Sequence, residues 1–427
     1  MSTERDPLPF YMDPAFLRGL TQARISRRTA LQGAGAASLA AALAACGVGS
    51  KPQPAAHTNW VWDKATQAGV LDFANWPLYI DVGQDSKGKT TYPSLAQFTN
   101  TTGIKVTYSE PIQDNDSFFA KVAPVLQQGQ AITPNYDIIV VTNGMQLTNY
   151  MLKHWLTELD PSKLPDFTAN AAPRVQARAF DPGNRFTIPW QSGFTGIGYN
   201  PAKTGRDITS YADLFDPKFA GKVGMMSNLA DTPNLALVGL GITPETSTPK
   251  DWQKAADKLK KQRDDGIVRK YYDQSYIKAL SAGDTWISMA WSGDIFQANL
   301  SASNQNLKFV IPSEGGVIWT DNMCIPLKAA HPVDAITYMN WVYQPANAAT
   351  LAEYIDYITP VPSAKQYIEQ QAAQEKDAAA KAALLQTSES PLVFPPADVL
   401  NHTSYYRVLS PSEAIQWNRI FNAVIIS

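Results

Sequence analysis

Tyr136-Asp137-Ile138-Ile139-Val140-Val141 is unbroken apolar and β-branched sequence after its aspartate, the composition of a strand buried on both faces of a parallel sheet. Upstream, Ile104-Lys105-Val106-Thr107-Tyr108 alternates as a second strand. Gly69-Val70-Leu71-Asp72-Phe73-Ala74 reads as a first, ending at Asn75-Trp76. Between these strands, residues 92–102 read as a helix closed by Gly103, and residues 118–127 as another that ends at Gly129. Strand, helix, strand, helix, strand is a βαβ pattern, and it sets an α/β lobe.

Downstream a second α/β series is expected. Residues 195–199, 221–226, 286–291 and 307–311 read as strands. Thr248-Pro249-Lys250-Asp251 reads as a capping box with proline at the first helical position, opening a helix that stops at Gly266. Ser410-Pro411-Ser412-Glu413 is a second such start, followed by an apolar face of Ile415, Trp417, Ile420, Phe421 and Val424. Residues 372–385 are Ala-rich and expected to be one helix. Residues 46–427 exceed one ordinary core, so two lobes are expected: 69–194 plus 320–364, and 195–319 plus 365–427.

Ahead of the globular part, Arg27-Arg28 precede a small, apolar stretch from Ala30 to Ala45 that ends in Leu43-Ala44-Ala45-Cys46. Ser26-Arg27-Arg28-Thr29-Ala30-Leu31 is similar to a twin-arginine export signal, though the general secretory route stays open, and Leu-Ala-Ala-Cys resembles a lipobox. The competing reading is a buried Ala-rich helix; about sixteen apolar residues are short for a bilayer span. Residues 1–45 are therefore expected to be removed, Cys46 to be acylated, and residues 46–68, Pro/Ala-rich and polar from Lys51, to act as a flexible tether. The protein would then sit at the outer face of the cytoplasmic membrane or in the periplasm, anchored by lipid. Past residue 45 the chain keeps 31 of its 36 basic and 35 of its 38 acidic residues. This slightly acidic balance, with no basic cluster, argues against a nucleic-acid partner. With Cys46 assigned to lipid, only Cys324 remains, which excludes an intramolecular disulfide. The histidines, His57, His154, His331 and His402, have no partner at metal-ligand spacing, so no metal and no cofactor are expected.

Three segments combine aromatic and acidic residues at expected strand ends: Asn75-Trp76-Pro77-Leu78-Tyr79-Ile80-Asp81, Trp291-Ser292-Gly293-Asp294, and a loop Glu314-Gly315-Gly316-Val317-Ile318-Trp319-Thr320-Asp321. Asp231 lies in a loop before the apolar run 235–240, and Tyr357 precedes Thr359-Pro360. Carboxylates and aromatic faces are what an alkyl-chain cation needs: a buried ammonium requires a counter-charge, and rings supply apolar contact and cation–π attraction. The plain alternatives are packing for each tryptophan and an N-cap for Asp231. Trp60, Trp62, Trp155, Trp252, Trp341 and Trp417 are assigned to packing or surface.

In order along the chain, Asn75-Trp76-x-x-Tyr79-Ile80, Thr102-Gly103-Ile104-Lys105-Val106, Tyr136-Asp137, Phe180-Asp181-Pro182-Gly183-Asn184, Ile188-Pro189, Gly196-Ile197-Gly198, Tyr211-Ala212-Asp213-Leu214-Phe215, Trp291-Ser292-Gly293-Asp294 and Glu314-Gly315-Gly316 resemble the bacterial spermidine/putrescine-binding proteins of polyamine importers. The likeness runs from about residue 72 to 362 and weakens past 364. It implies a two-lobed, type II periplasmic-binding-protein fold with a ligand cleft at the hinge. It also implies a monomer that delivers a spermidine- or putrescine-like amine to an ABC permease. Position by position, it implies that Trp76 lines the pocket, Asp231 pairs with an amine and Trp291 and Trp319 sandwich the alkyl chain. Asp294 and Asp321 would hold amino groups and Tyr357 would close the pocket. The loop after the third strand departs from the pattern: in Thr142-Asn143-Gly144-Met145 the hydroxyl is kept at Thr142 and the aromatic is lost. Asn228 and Pro77 are further departures.

Two rivals remain. The same fold resembles a thiaminase with a cleft cysteine, for which Cys324 is the one candidate, without a histidine near it in sequence. A binding protein for a sugar, an anion or iron is the other; stacked tryptophans make the sugar the stronger version.

Overall fold

A computed structural model of the chain describes residues 62, 65–176, 178–301 and 306–425. The expected export segment, with Arg27, Arg28 and Cys46, lies outside the described residues. Among the described residues, no helix is long and apolar enough to cross a membrane.

The chain first builds β1 (Val70–Ala74), α1 (Pro93–Thr102), β2 (Lys105–Ser109), α2 (Asn115–Gln127), β3 (Ile138–Thr142) and α3 (Met145–Leu152). Proline opens α1, and Gly103 closes it at φ 79°, its N–H donating to the Thr99 carbonyl. A long strand follows, β4 (Thr187–Tyr199), then β5 (Val223–Met226), α4 (Asp231–Val238), α5 (Pro249–Asp264), β6 (Val268–Tyr272), α6 (Tyr276–Ser281), β7 (Ile287–Trp291), α7 (Ser292–Ser301), β8 (Lys308–Val310) and β9 (Gly316–Cys324). Toward the C-terminus, with shorter elements left aside, come α8 (Pro332–Trp341), α9 (Pro345–Ile355), α10 (Ala364–Gln374), α11 (Ala378–Glu389), β10 (Thr403–Tyr405) and α12 (Pro411–Ile425).

The strand order is β2-β1-β3-β9-β4-β7-β5-β6, with β8 added to β4 and β10 to β9. Pairing is parallel at both ends, within β2-β1-β3 and within β7-β5-β6. In the middle, β4 and β9 run antiparallel from Val317↔Thr195 to Cys324↔Thr187. The C-terminal half of β9 pairs with β3, and that of β4 with β7. The two α/β lobes are therefore joined through this strand pair, whose side chains are buried along its whole length. The register shifts between Asp321 and Asn322, where Trp190 is the extra residue of β4. Such bulges re-aim side chains.

Four expectations are corrected. The segment 314–321 was expected as a loop, yet from Gly316 it is strand. Its polar members hide the pattern because they are paired inside the sheet: the Thr320 N–H donates to the Asn143 side-chain carbonyl, the Thr320 hydroxyl pairs with that of Ser192, and Asp321 accepts from the Thr142 hydroxyl. β4 begins at Thr187 rather than 195, running through Pro189, whose carbonyl accepts from the Tyr343 hydroxyl at 2.6 Å. β6 was not anticipated; Arg269 and Lys270 are exposed on it, as suits an edge strand. The single helix expected over 372–385 is broken, because Asp377 caps α11 by accepting from the Ala379 and Ala380 N–H groups. Helices α10 and α11 pack on α9, and α12 packs on α5, where the Trp252 and Trp417 rings meet edge-to-face at 5.2 Å.

Asp72, Asp137 and His331 come together in the first lobe, a grouping unseen in the sequence. The oxygens of Asp137 are already engaged. Fully buried Asp137 accepts from the Asp72 N–H at 2.9 Å, the His331 N–H at 2.8 Å and, across 2.8 Å, pairs with His331 Nδ1. The aspartate ties β1 to the turn that enters α8. Asp334 likewise holds the Ala68 and Gly69 N–H groups, at 2.8 and 2.9 Å, and so fixes the start of β1.

Asp137→Ala strands these buried donors and is expected to cost roughly 2–4 kcal/mol in urea denaturation. His331→Ala leaves both backbone donors served and should cost less.

Candidate functional site

Asp321 lies in the part of β9 that joins the lobes, opposite Thr142 of β3. The residue is 5% exposed, and its carboxylate accepts from the Thr142 hydroxyl at 2.5 Å and the Tyr79 hydroxyl at 2.8 Å. Burial is the main cause that pushes its pKa up to about 6, with the nearby charge of Asp231 adding to it and the two hydroxyls opposing it. Asp231 occupies the first turn of α4, not a loop, and its side chain caps nothing. It accepts instead from Thr195, from the Tyr406 hydroxyl at 2.6 Å, from the Asn228 amide at 2.7 Å and from Trp291 Nε1 at 3.1 Å. Burial raises its pKa against all four donors. Among the described residues, no Lys or Arg pairs with Asp231 or Asp321.

Asp294 stands in the first turn of α7, directly after β7, where the helix dipole favours an anion. It accepts from the Tyr276 hydroxyl at 2.9 Å and the Tyr357 hydroxyl at 3.0 Å. Tyr357 meets Tyr79 edge-to-face at 5.8 Å and Trp319 at 5.3 Å. Trp319 meets Trp291 at 6.3 Å and 74°. Trp319 lies opposite Gly193 in the β4–β9 register, and that glycine is required: a Cβ there would overlap the Trp319 ring and stand 2.8 Å from Tyr357 Cδ1. Gly293 plays the same part under the other side of Tyr357.

Seven of the eight expected positions, Thr142, Asp231, Trp291, Asp294, Trp319, Asp321 and Tyr357, are thus brought into one connected cluster. Two details differ from expectation. Trp291 and Trp319 touch edge-to-face rather than standing as parallel plates. Trp76 sits apart, its Nε1 donating to the Val140 carbonyl at 3.1 Å and its ring packed into the first lobe's core. Tyr79 enters from that loop in its place, its carbonyl accepting from the Asn75 amide and from Trp190 Nε1, each at 3.2 Å. Sequence reasoning quoted Tyr79 but did not select it, and missed Tyr276, Thr195 and Tyr406. Nothing distinguishes these hydroxyls locally; each is defined by a partner 15 to 242 residues away.

Cys324 ends β9 on another footing. It is fully buried among Ala74, Ile139, Leu147 and Trp155, its thiol is pushed well up by burial, and Sγ faces the Asn322 carbonyl.

Residues 94–383 match the family model of the bacterial extracellular solute-binding proteins. The spermidine/putrescine-binding periplasmic protein of Escherichia coli is 30% identical over 313 residues, spanning 73% of this chain and 83% of that one. A putrescine/cadaverine-binding protein of Pseudomonas aeruginosa is 28% identical over 321 residues, 71% and 83% of the two chains. Among solved structures, the spermidine/putrescine ABC transporter substrate-binding protein of Streptococcus pneumoniae superposes with a TM-score of 0.67 at 25% identity, covering 84% of this chain and 99% of that one. With a relative of this identity along most of both chains, and a matching two-lobed architecture, the chain belongs to the family of bacterial extracellular solute-binding proteins.

Proposed function

We propose that the protein is the substrate-binding component of an ABC importer and that it binds a polyamine of the spermidine or putrescine class. One observation supports this above the others: Asp231 and Asp321 are buried, the charge of Asp231 adds to the cost of ionising Asp321, and among the described residues both are held only by neutral O–H and N–H donors. A buried charge pair of one sign calls for a ligand of the other. Asp294 supplies a third acid beside them, and Trp291, Trp319 and Tyr357 supply the faces for a methylene chain and for cation–π contact. The names of the relatives point the same way.

In this reading, Asp321 and Asp294 hold amino groups, Asp231 pairs with an amine, and the tryptophans separate from their edge contact to admit the chain. The lobes are 69–194 plus 320–364 and 195–319 plus 365–427, with α10 and α11 moved to the first by their packing on α9. They close about β4 and β9. The protein acts as a monomer outside the cytoplasm, lipid-anchored through Cys46, and hands its ligand to a membrane permease. It is not an enzyme of the thiaminase type, since the Cys324 thiol is in the core rather than the cleft. A neutral sugar is favoured by one atom: Trp319 Nε1 is buried without an acceptor, and a protonated amine offers none, which leaves that donor to water under the polyamine reading.

Calorimetry should give binding of spermidine or putrescine at micromolar or tighter, about −8 kcal/mol or better. Maltose should give no heat; a sugar signal without an amine signal moves the assignment to the second reading. Asp321→Asn leaves a desolvated ammonium short of its partner and should cost roughly 2–5 kcal/mol of affinity. Trp319→Phe keeps an aromatic face and should cost less. Equal, small effects would remove both from the pocket.

Affinity should also fall with acid. Above a pKa of about 6 Asp321 is charged and attracts the amine; below it the carboxyl takes a proton. From pH 7 to 5 the loss is about tenfold for one such group, with a proton released on binding near pH 5.5. The stability of the empty protein responds in the opposite sense. The folded pKa lies above the unfolded value of about 3.9, so Asp321's contribution is full below that value and is lost as pH rises to about 6. Asp321→Asn should flatten both profiles.

Cys46→Ala should release the protein from the membrane fraction or block its processing. Normal cleavage with unchanged membrane association would end the lipoprotein reading.

A further inference from the structure

The reverse side of the hinge holds a second charged site of the opposite sign. Side chains alternate along β4 and β9, so Phe194 and Ile318 point away from Gly193 and Trp319. With Ile358 they form a small cluster behind the cleft, on which Tyr405 of β10 packs. The chain ahead of β4 passes over this face and delivers Arg174 and Arg178.

Arg178 is 6% exposed. Its guanidinium lies over the Tyr405 ring, 4.2 Å from the centroid, and its Nε and Nη2 are buried without an acceptor. Arg174 donates from Nη2 to the Thr359 carbonyl at 3.2 Å, while its Nη1 is buried without one. Burial, then the neighbouring charge of Arg178, brings the Arg174 pKa down to about 10. Among the described residues neither arginine has a carboxylate within ion-pair distance. The arrangement is costly as it stands. Two cations are desolvated side by side, and a ring face satisfies one of them only in part. Three N–H-bearing nitrogens from two planar forks, near enough for the charge of one to be felt at the other, are left buried without an acceptor, and forks of this kind match pairs of oxygens on one anion.

We propose that Arg174 and Arg178 form a binding site for a small inorganic oxyanion of the phosphate or sulfate type, behind the hinge and against Tyr405 and Thr359. A carboxylate or a ring of waters would satisfy the same donors, but the described residues supply no carboxylate within ion-pair distance, and water leaves both charges uncompensated. The site shares a segment with the cleft: Thr359, held by Arg174, is two residues from Tyr357, which contacts Asp294 and Trp319. It stands independently of the ligand assigned to the cleft.

The test is thermal unfolding of the whole exported chain in inorganic phosphate, with sodium chloride adjusted to hold ionic strength constant. The wild-type midpoint should rise with the logarithm of phosphate concentration, and the rise should vanish in Arg178→Met. In phosphate-free buffer that variant should be at least as stable as the wild type, because it keeps the apolar stem and removes an uncompensated charge. Arg174→Gln, at a less buried position, makes the same comparison should Arg178→Met fail to fold. No phosphate-specific rise in the wild type means that water alone fills the site and overturns the proposal. So does a rise that survives both substitutions, which would place the anion elsewhere.

Discussion

Asp321 is an ionisable group in the middle of the strand pair that joins the lobes, and much of the surrounding structure follows from keeping it there. Removing a carboxylate from water costs several kcal/mol, against roughly 0.5–1.5 kcal/mol net from each neutral hydrogen bond. Two hydroxyls, from Tyr79 and Thr142, cannot cover that difference. Tyr79 must therefore be held firmly, and its backbone carbonyl is clamped by the Asn75 amide and by Trp190 Nε1. Trp190 is the residue at which the β4–β9 register shifts. The bulge, the loop after β1 and the acid are thus one arrangement, and Gly193 is its steric counterpart, leaving room for Trp319 and Tyr357 beside the charge.

How much of this could be read from the sequence depended on whether the governing contact was local. The β1-to-β3 lobe was legible because a β-branched run and a capping glycine act over a few residues. Asp294 and Asp321 were legible because an acid two or three residues from a tryptophan is locally odd, whereas Asp231, with no tryptophan near it in sequence, was reached only through the family resemblance. The strand status of Gly316–Cys324 was not, because a strand buried on both faces can carry polar residues once distant partners engage them: Thr320 pairs with Ser192 and Asn143, Asp321 with Thr142, and the Asn322 NH₂ with the Val141 carbonyl. Tyr276 and Tyr406 were invisible for the same reason. A tyrosine looks alike whether its hydroxyl meets water or a buried carboxylate. Trp76 departs the other way: it bonds to the Val140 carbonyl, and Tyr79 is the residue of the same loop that reaches Asp321.

The choice of hydroxyls over cations as partners for these acids also bears on the resting state. A lysine beside Asp321 would neutralise the site and stabilise the closed lobes without a ligand. Hydroxyls orient the carboxylates and leave their charge in place. A closed, empty arrangement then retains the burial and, behind it, the repulsion from Asp231 that raise the Asp321 pKa, and separation of the lobes would relieve both by readmitting water. A cationic ligand adds the missing counter-charge in the closed state alone, and a ligand shifts a conformational equilibrium only by such a difference. On the proposed reading, the same deficit that makes the empty cleft costly is what couples amine binding to closure, and a ligand lacking positive charge would fill the space without driving it.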